Sequence, residues 1–190
     1  SKYMRSMSAA AYEKSRQMIW PNVAAQYFNL YKEHSEIKTE ENKLPEFKLD
    51  HLIRMTDDFG MAHHAKYSKP EKRYGYSLDD NARALITCVR WLETHPSQQL
   101  IDLIKTYIKF IKFVSRPGGY FANIVSSQRR RDDTKDEDVL GRAIWALGFT
   151  AAQEYLPQDI RKEAEAMFLK ALKPLPDVKT SRAISFSLIG

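Results

Sequence analysis

The sequence is poor in cysteine and has no long apolar run. Cys88 is the single cysteine among 190 residues, so a disulfide within the chain is excluded and a buried thiol is expected. No run approaches the roughly 18 apolar residues of a transmembrane helix, and the chain does not open with a basic segment followed by an apolar one. We therefore expect a protein without a membrane span, located in the reducing cytoplasm.

Signatures of metal binding and nucleic-acid binding are also missing. The adjacent pair His63 and His64 points in two directions, and no HExxH motif or cysteine pair accompanies it, so we expect no metal and no cofactor. The net charge of +6 is compatible with binding to nucleic acid, so the distribution of charge along the chain has to decide whether such binding is expected. The densest basic cluster, residues 129–131, is followed at once by acids in residues 132–138. This favours a self-neutralised loop over a phosphate-binding strip and predicts no nucleic-acid partner.

Helical periodicity is what the sequence has in abundance. Four long helices are expected between Ser77 and residue 172, and a further helix starts at Ser181. The connections ETHPS and the one through Pro157 are short, so the helices on either side should run antiparallel. A brief strand is expected in YFANIVS, and the rest of the pattern predicts an all-α fold. The apolar stripe of the first long helix consists of Ala82, Leu85, Ile86, Val89 and Leu92.

Composition divides the chain into three parts. Residues 1–34 contain one helix that starts at Ser8 and a second that opens at Pro21, because proline is tolerated in the first turn of a helix. Residues 35–46 have almost no apolar side chains and form a linker. Residues 47–190 form a second unit, which begins with a short helix.

Three helices begin alike, with Arg-Ala-Leu at Arg83 and Arg-Ala-Ile at Arg142 and Arg182. In the first two, Asp79 and Asp138 lie four residues earlier, which puts acid and base on one helical face. The spacing between the three motifs is unequal, which rules out a strict solenoid but suits helical hairpins with loops of different length. We expect a ring of helix pairs whose inner helices start around one mouth.

The stretch GYSLDDNARAL, residues 75–85, carries the candidate chemistry. Asp79 and Asp80 lie at a helix N-terminus, where the dipole and the free amides keep carboxylates ionised and fixed in direction. Fixed acceptors suit sugar hydroxyls, and carboxyl groups about 5–10 Å apart serve in glycoside hydrolysis. The alternative is structural: Asp80 caps the helix and Asp79 pairs with Arg83.

A second acidic pair and a tyrosine-rich loop lie just before this stretch. Asp57 and Asp58 in TDDFG follow a helix, at the unfavourable end of its dipole, and the alternative to a functional role is a turn. The long loop of residues 61–76 has no apolar period, and loops of this length are often functional. Its tyrosines at positions 67, 74 and 76 offer flat faces for a pyranose ring.

Two parts of the chain resemble carbohydrate-active proteins. LDHLIRMTDDFGMAHHAKYSKPEKRYGYSLDDNARALI, with DEDVLGRAIWALG and TSRAISFSLIG, resembles the region that follows the catalytic domain of certain bacterial glycosyltransferases. That region is similar to the (α/α) toroids of six-hairpin glycosidases. SAAAYEKSRQMIWPNVAAQYFNLY resembles the closing helices of a retaining, two-Rossmann-domain glycosyltransferase that uses a nucleotide sugar.

The resemblance implies that residues 47–190 are part of an (α/α) toroid and that residues 1–34 end a glycosyltransferase domain. If the toroid hydrolyses glycans, it needs one carboxyl with a raised pKa as proton donor and an ionised partner as base or nucleophile. The catalytic candidates are Asp57, Asp58, Asp79 and Asp80. The candidate ligand contacts are Tyr76, Asn81, Arg83, Glu137, Asp138 and Arg142.

Two functions follow from these observations. The first is a bacterial carbohydrate-active fragment that binds or processes a glycan partner in a carboxylate-lined pocket. It has no donor-binding core, so it should not transfer sugar from a nucleotide unaided. The second is a helical binding or scaffolding module in which the acids serve only as caps and ion pairs. A partial ring also leaves apolar helix faces open, so we expect self-association.

Overall fold

The protein is all-α in the computed structural model, which describes residues 2–34 and 46–190. Eight helices lie in those two ranges: α1 (Lys2–Arg16), α2 (Trp20–His34), α3 (Asp50–Met55), α4 (Leu78–Thr94), α5 (Gln98–Val114), α6 (Glu137–Ala151), α7 (Gln158–Ala171) and α8 (Ser181–Ile189). The same ranges hold four strands of two residues each: β1 (Ala65–Lys66), β2 (Lys69–Pro70), β3 (Tyr76–Ser77) and β4 (Ile124–Val125). The expected linker, residues 35–46, lies outside the described residues except at its last position.

The chain divides into two compact units, residues 1–47 and residues 48–190. In the first unit, α1 begins at Lys2 and not at Ser8, because no helix-breaking residue precedes the serine and serine is tolerated in a helix interior. α2 begins at Trp20, so Pro21 lies in its first turn as expected. No helix in the described parts of either unit is both long and apolar enough to cross a membrane.

Three helices of the second unit lie side by side and run parallel. α6 packs against both α4 and α8. Their first turns meet, because Arg142 of α6 contacts Asp79 of α4, and Arg182 of α8 contacts Asp138 of α6. α5 packs on α4 and α7 packs on α6, each joined to its partner by a short connection that makes the pair antiparallel. These helices and their connections agree with the sequence prediction.

The apolar stripes of α4, α5 and α6 form the core of this unit. The expected stripe of α4 is buried, and Cys88 on the same helix is buried with it. Burial raises the pKa of the Cys88 thiol to about 12, so the thiol stays protonated. Each fully buried leucine or isoleucine stabilises the fold by about 1.5–3 kcal/mol. The largest fully buried side chains include Tyr107, Phe110, Leu78, Leu85, Ile104, Ile108, Ile111, Leu140, Ile144 and Leu147.

The segment before α4, expected to be an irregular loop, contains paired strands. β1 and β2 form a hairpin, and β3 pairs antiparallel with β4, which is the strand expected in YFANIVS. Gly75 adopts a φ of 73°, and a Cβ at this position would lie 2.0 Å from the carbonyl oxygen of Val125. Glycine is therefore required where the two segments cross. The pairing ties the residues before α4 to the segment between α5 and α6.

Candidate ligand-binding site

The first turn of α4 carries a cluster of charged side chains. Arg83 Nη2 donates to Asp79 Oδ2 at 2.6 Å and to Asp80 Oδ1 at 2.8 Å. The Asp80 amide donates to Ser77 Oγ at 3.1 Å, and Ser77 Oγ donates to Asp80 Oδ2 at 2.5 Å. The expected helix cap and the expected pairing of Asp79 with Arg83 are therefore both present.

Arginines from the next inner helix extend this cluster. Arg142 Nε of α6 lies 2.6 Å from Asp79 Oδ1, so each oxygen of Asp79 faces a guanidinium group. α8 repeats the arrangement, because Arg182 Nε donates to Asp138 Oδ2 of α6 at 2.6 Å. The repeated Arg-Ala motif thus positions an arginine against the aspartate of the preceding inner helix.

These ion pairs border a cavity of about 200 Å³ at the N-terminal ends of α4, α6 and α8. Three of the expected site residues contribute to its wall: Asp79, Asp138 and Arg142. The complete lining is Asp79, Asn123, Asp136, Asp138, Val139, Arg142, Arg182 and Phe186. Acidic, basic and aromatic groups therefore meet in one concave site.

Two oxygen atoms in this wall have no hydrogen-bond partner among the described residues. They are Asp138 Oδ1 and Asn123 Oδ1, and both are shielded from solvent. The Asp138 side chain as a whole is 26% exposed, so the carboxylate lies at the boundary of the cavity. A buried acceptor without a donor costs about 1–3 kcal/mol. The wall is therefore short of hydrogen-bond donors.

Phe186 supplies the aromatic surface of the site. The guanidinium carbon of Arg142 lies 4.0 Å from the centroid of the Phe186 ring. Trp145 stacks on the same ring at a centroid distance of 5.6 Å and an interplanar angle of 6°. Arg142 is thus held by a carboxylate and by an aromatic face, which fixes its direction.

Asp57 and Asp58 lie in the turn after α3 and do not line the cavity. Asp57 Oδ1 accepts from the amides of Phe59 and Gly60 at 3.0 and 3.2 Å, which is the turn geometry that the sequence left open as an alternative. Asp57 Oδ2 accepts from Tyr76 Oη at 2.7 Å. The side chain of Asp58 is 86% exposed.

Asp57 is held in its ionised form. Burial alone raises the pKa of Asp57, but hydrogen bonds from Lys72, Tyr76 and the turn amides outweigh burial, and the pKa falls below its usual value of 3.8. The Lys72 ammonium lies 2.8 Å from Asp57 Oδ2. A hydrolytic proton donor needs a raised pKa, which is the opposite direction.

Three expected ligand contacts have structural partners. Tyr76 is buried, and burial together with its hydrogen bond to Asp57 raises the pKa of its hydroxyl. Asn81 is fully buried, where its amide donates to the carbonyl oxygens of Met61 and Ser77, and its Oδ1 accepts from the Met61 amide at 2.8 Å. Arg83 is used by the two aspartates of its own helix. Asn81 therefore attaches the segment before α4 and lies out of reach of a ligand.

Glu137, the first residue of α6, caps the N-terminus of the neighbouring helix α8. Its Oε2 accepts from the amides of Lys179 and Thr180 at 3.0 and 2.7 Å, at the start of α8. Hydrogen bonds from the Thr180 and Lys179 amides lower the pKa of Glu137. The side chain thus positions α8 and is not part of the cavity wall.

The two histidines contact different acids. His63 Nδ1 lies 2.7 Å from Asp80 Oδ2, and His64 Nε2 lies 3.5 Å from Glu71 Oε2. A group of three or more histidine, cysteine or acidic side chains suitable for a metal does not occur in the described part of the chain. Adjacent histidines therefore serve separate contacts here.

Two arginines of the basic cluster at residues 129–131 contact groups other than the acids that follow them, which differs from the expected self-neutralised loop. Arg129 lies 3.4 Å from Asp58 and its guanidinium covers the Phe59 ring at 4.7 Å. Arg131 donates to backbone carbonyl oxygens near the end of α5. These partners lie far from the cluster along the chain, so the local order of charges does not reveal them.

Five cavity residues were not among the sequence candidates: Asn123, Asp136, Val139, Arg182 and Phe186. Arg182 had a signal, because it begins the third Arg-Ala repeat, and Phe186 follows it by one helical turn. Asn123 lies in the segment beside β4 and had no signal. It reaches the site because Leu78, the first residue of α4, donates its amide to the Asn123 carbonyl oxygen at 2.8 Å.

Comparison with known proteins adds no relative to this picture. No protein-family model matches the chain, and no curated protein matches it.

Proposed function

We propose that residues 48–190 bind a glycan in the cavity at the N-terminal ends of α4, α6 and α8. The observation that carries the proposal is the meeting of these three helix starts around one cavity of about 200 Å³ with Asp79 and Asp138 in its wall. Carboxylate oxygens accept hydrogen bonds from sugar hydroxyls. The volume lies below the roughly 300–1,000 Å³ of sites for drug-sized ligands, which suits a single sugar unit.

The wider setting in this proposal is a bacterial glycosyltransferase of the nucleotide-sugar type, with residues 48–190 as part of its (α/α) toroid. Parallel inner helices backed by antiparallel outer helices support it, because such a ring brings the inner helix starts together. The role is recognition of the glycan, and sugar transfer belongs to the donor-binding domain. Hydrolysis has less support, because the pKa of Asp57 is lowered and both oxygens of Asp79 face guanidinium groups.

A scaffolding module is the second candidate, and one observation favours it. Asp80 accepts from Ser77, faces His63 and pairs with Arg83, and Asp79 pairs with Arg83 and Arg142, so these acids are fully used within the protein. Ion pairs between helices stabilise a fold without any ligand. The two candidates differ in whether removing a cavity charge changes sugar binding.

The test is a glycan array, followed by titration of the best ligand by calorimetry. We expect the wild-type protein to bind, and Asp79→Asn to weaken binding by about tenfold, because the Asp79 carboxylate fixes Arg142 against Phe186 in the cavity wall. Asp80→Asn is the matched control, since Asp80 precedes the same arginine but does not line the cavity.

Circular dichroism shows first that both variants keep their helices. Absence of glycan binding by the wild type, or equal binding by wild type and Asp79→Asn, contradicts the glycan proposal and supports the scaffold.

A further inference from the structure

We infer that the cavity selects sugars that carry no negative charge and that Asp138 is its specificity-determining residue. The inference rests on the proposed glycan binding and names the class of sugar. It follows from which charged groups of the wall are free to meet a ligand.

The most buried guanidinium of the wall is already occupied. Arg142 lies 2.6 Å from Asp79 and 4.0 Å from the Phe186 ring centroid, and its side chain is only 21% exposed. An anionic sugar that took this guanidinium would leave Asp79 with Arg83 alone. Arg142 is therefore not an available anion site.

Asp138 is held more loosely than Asp79. Its Oδ2 is paired with Arg182, whose side chain is 70% exposed, and its Oδ1 has no hydrogen-bond partner in the described structure. Ion pairs with an exposed partner contribute little to stability, so donors from a ligand can replace Arg182. Asp138 is thus the cavity carboxylate that a ligand can engage.

The two atoms of the wall without a hydrogen-bond partner are acceptors, so a ligand that donates hydrogen bonds suits them. Asp138 Oδ1 and Asn123 Oδ1 both lack a donor, and sugar hydroxyls or an ammonium group provide one once Arg182 has moved aside. Asp136 adds a further negative charge to the lining. A uronic acid brings one more carboxylate beside Asp136 and Asp138, and like charges in a partly buried site repel.

An anionic ligand could instead pair with Arg182. That pairing takes Arg182, the cation that pairs with Asp138 in the described part of the chain, and leaves a partly buried carboxylate without compensation. The wall therefore penalises an anion by either route, whereas a neutral or amino sugar satisfies acceptors that are otherwise unpaired.

The test compares sugars of equal configuration and different charge on the full chain. The probes are glucose, galactose and mannose, together with the uronic acid and the 2-amino sugar of each, and binding is measured from amide shifts in two-dimensional NMR spectra. For the configuration that binds, we expect the uronic acid to bind at least tenfold more weakly than the neutral sugar. Asp138→Asn should lower the affinity for the neutral sugar. It should also bring the ratio of the affinity for the neutral sugar to that for the uronic acid close to one.

Two further variants keep the result interpretable. Asp133→Asn removes a fully exposed acid outside the cavity and should preserve the tenfold ratio. Arg182→Gln frees Asp138 and should leave neutral-sugar affinity equal or increase it. If Arg182→Gln lowered the affinity for the neutral sugar as much as Asp138→Asn does, Arg182 and not Asp138 would contact the sugar. That result would overturn the inference.

The possible failures are distinct. If none of the nine probes binds, the proposed function fails and the inference fails with it. If neutral sugars bind but uronic acids bind equally or more tightly, or if Asp138→Asn keeps the tenfold preference, glycan binding stands and only the inference is overturned.

Discussion

At the scale of single residues, the donors around an acid decide its role. Asp57 and Asp58 are adjacent in sequence, yet Asp57 accepts four contacts in its turn while the Asp58 side chain is 86% exposed. Their shared position after α3 predicted one role for both. Two of the four donors, Tyr76 and Lys72, come from the segment before α4, so the difference arises partly from the fold and not from the dipeptide alone.

The pKa of Asp57 makes a prediction about acid stability. Since the folded pKa lies below the unfolded value of about 3.8, the stabilisation is fully present above that pH and is lost as the pH falls through the folded pKa. We expect Asp57→Asn to lower the free energy of unfolding by about 1 kcal/mol at pH 7, because the hydrogen bonds to a charged carboxylate are lost. The loss stays small because the partner Lys72 is exposed to solvent. The deficit should shrink toward pH 2.

Urea unfolding at several pH values measures this difference. Asp58→Asn is the control, and its stability should follow that of the wild type at every pH. A deficit of Asp57→Asn that stays constant from pH 7 to pH 2 would show that the carboxylate charge is not the cause.

At the scale of helices, α8 is placed by contacts with α6. Glu137 caps its start, and Trp145 stacks on Phe186 in its middle. Gly141 of α6 allows the backbones to approach, because a Cβ at this position would lie 2.6 Å from the carbonyl oxygen of Ala183. Arg182 and Phe186 reach the cavity as a result of this close packing.

Gly141→Ala tests how closely α8 packs on α6, because close packing predicts a loss of stability and helix propensity predicts a gain. Helix propensity alone predicts a gain of about 1 kcal/mol from replacing a glycine in a helix interior by alanine. We expect instead a loss of about 1–3 kcal/mol, because the added methyl group meets the α8 backbone, which cannot move aside like a flexible side chain. Thermal unfolding measures the net change.

Hydrogen exchange locates the effect of this substitution. The amides of α8 should exchange faster in Gly141→Ala, while those of α4 and α5 keep their protection. A rise in melting temperature would mean that α8 packs less closely on α6 than the structure indicates.

At the scale of the whole molecule, the second unit has a buried core and an exposed apolar end. Leu188 and Ile189 at the end of α8 are 83% and 60% exposed, and Ile184 on the same helix is 38% exposed. Neighbouring apolar side chains on one short helix form a patch, whereas single exposed apolar residues are ordinary on protein surfaces.

The exposed end of α8 leads us to predict self-association. Replacing both Leu188 and Ile189 by serine should reduce the association constant by about tenfold or more, because burial of each such side chain is worth about 1.5–3 kcal/mol. Sedimentation velocity over a range of concentrations measures it. Leu169→Ser on α7 removes a single exposed leucine and should leave association unchanged. A wild-type protein that stays monomeric at the highest concentration would refute the prediction.

Several features of the fold and the site could be predicted because they depend on neighbours within one or two helical turns. The all-α class, the buried stripe of α4, the Ser77 cap and the pairing of Asp79 with Arg83 belong to this group. Hydrogen bonds and ion pairs three or four residues apart follow from helix geometry alone. The start of α1 was missed because propensity defines helix ends poorly.

The sequence by itself therefore determined which segments are helical and which charged side chains lie in the first turns of α4, α6 and α8. Only the tertiary structure decided that Arg142 pairs with Asp79, that Arg182 pairs with Asp138, and that Asn123 joins the cavity. These contacts join residues some 40 or more positions apart along the chain. The physical reason is that charge and polarity mark a side chain as capable of pairing, while the packing of helices and the path of the loops choose its partner.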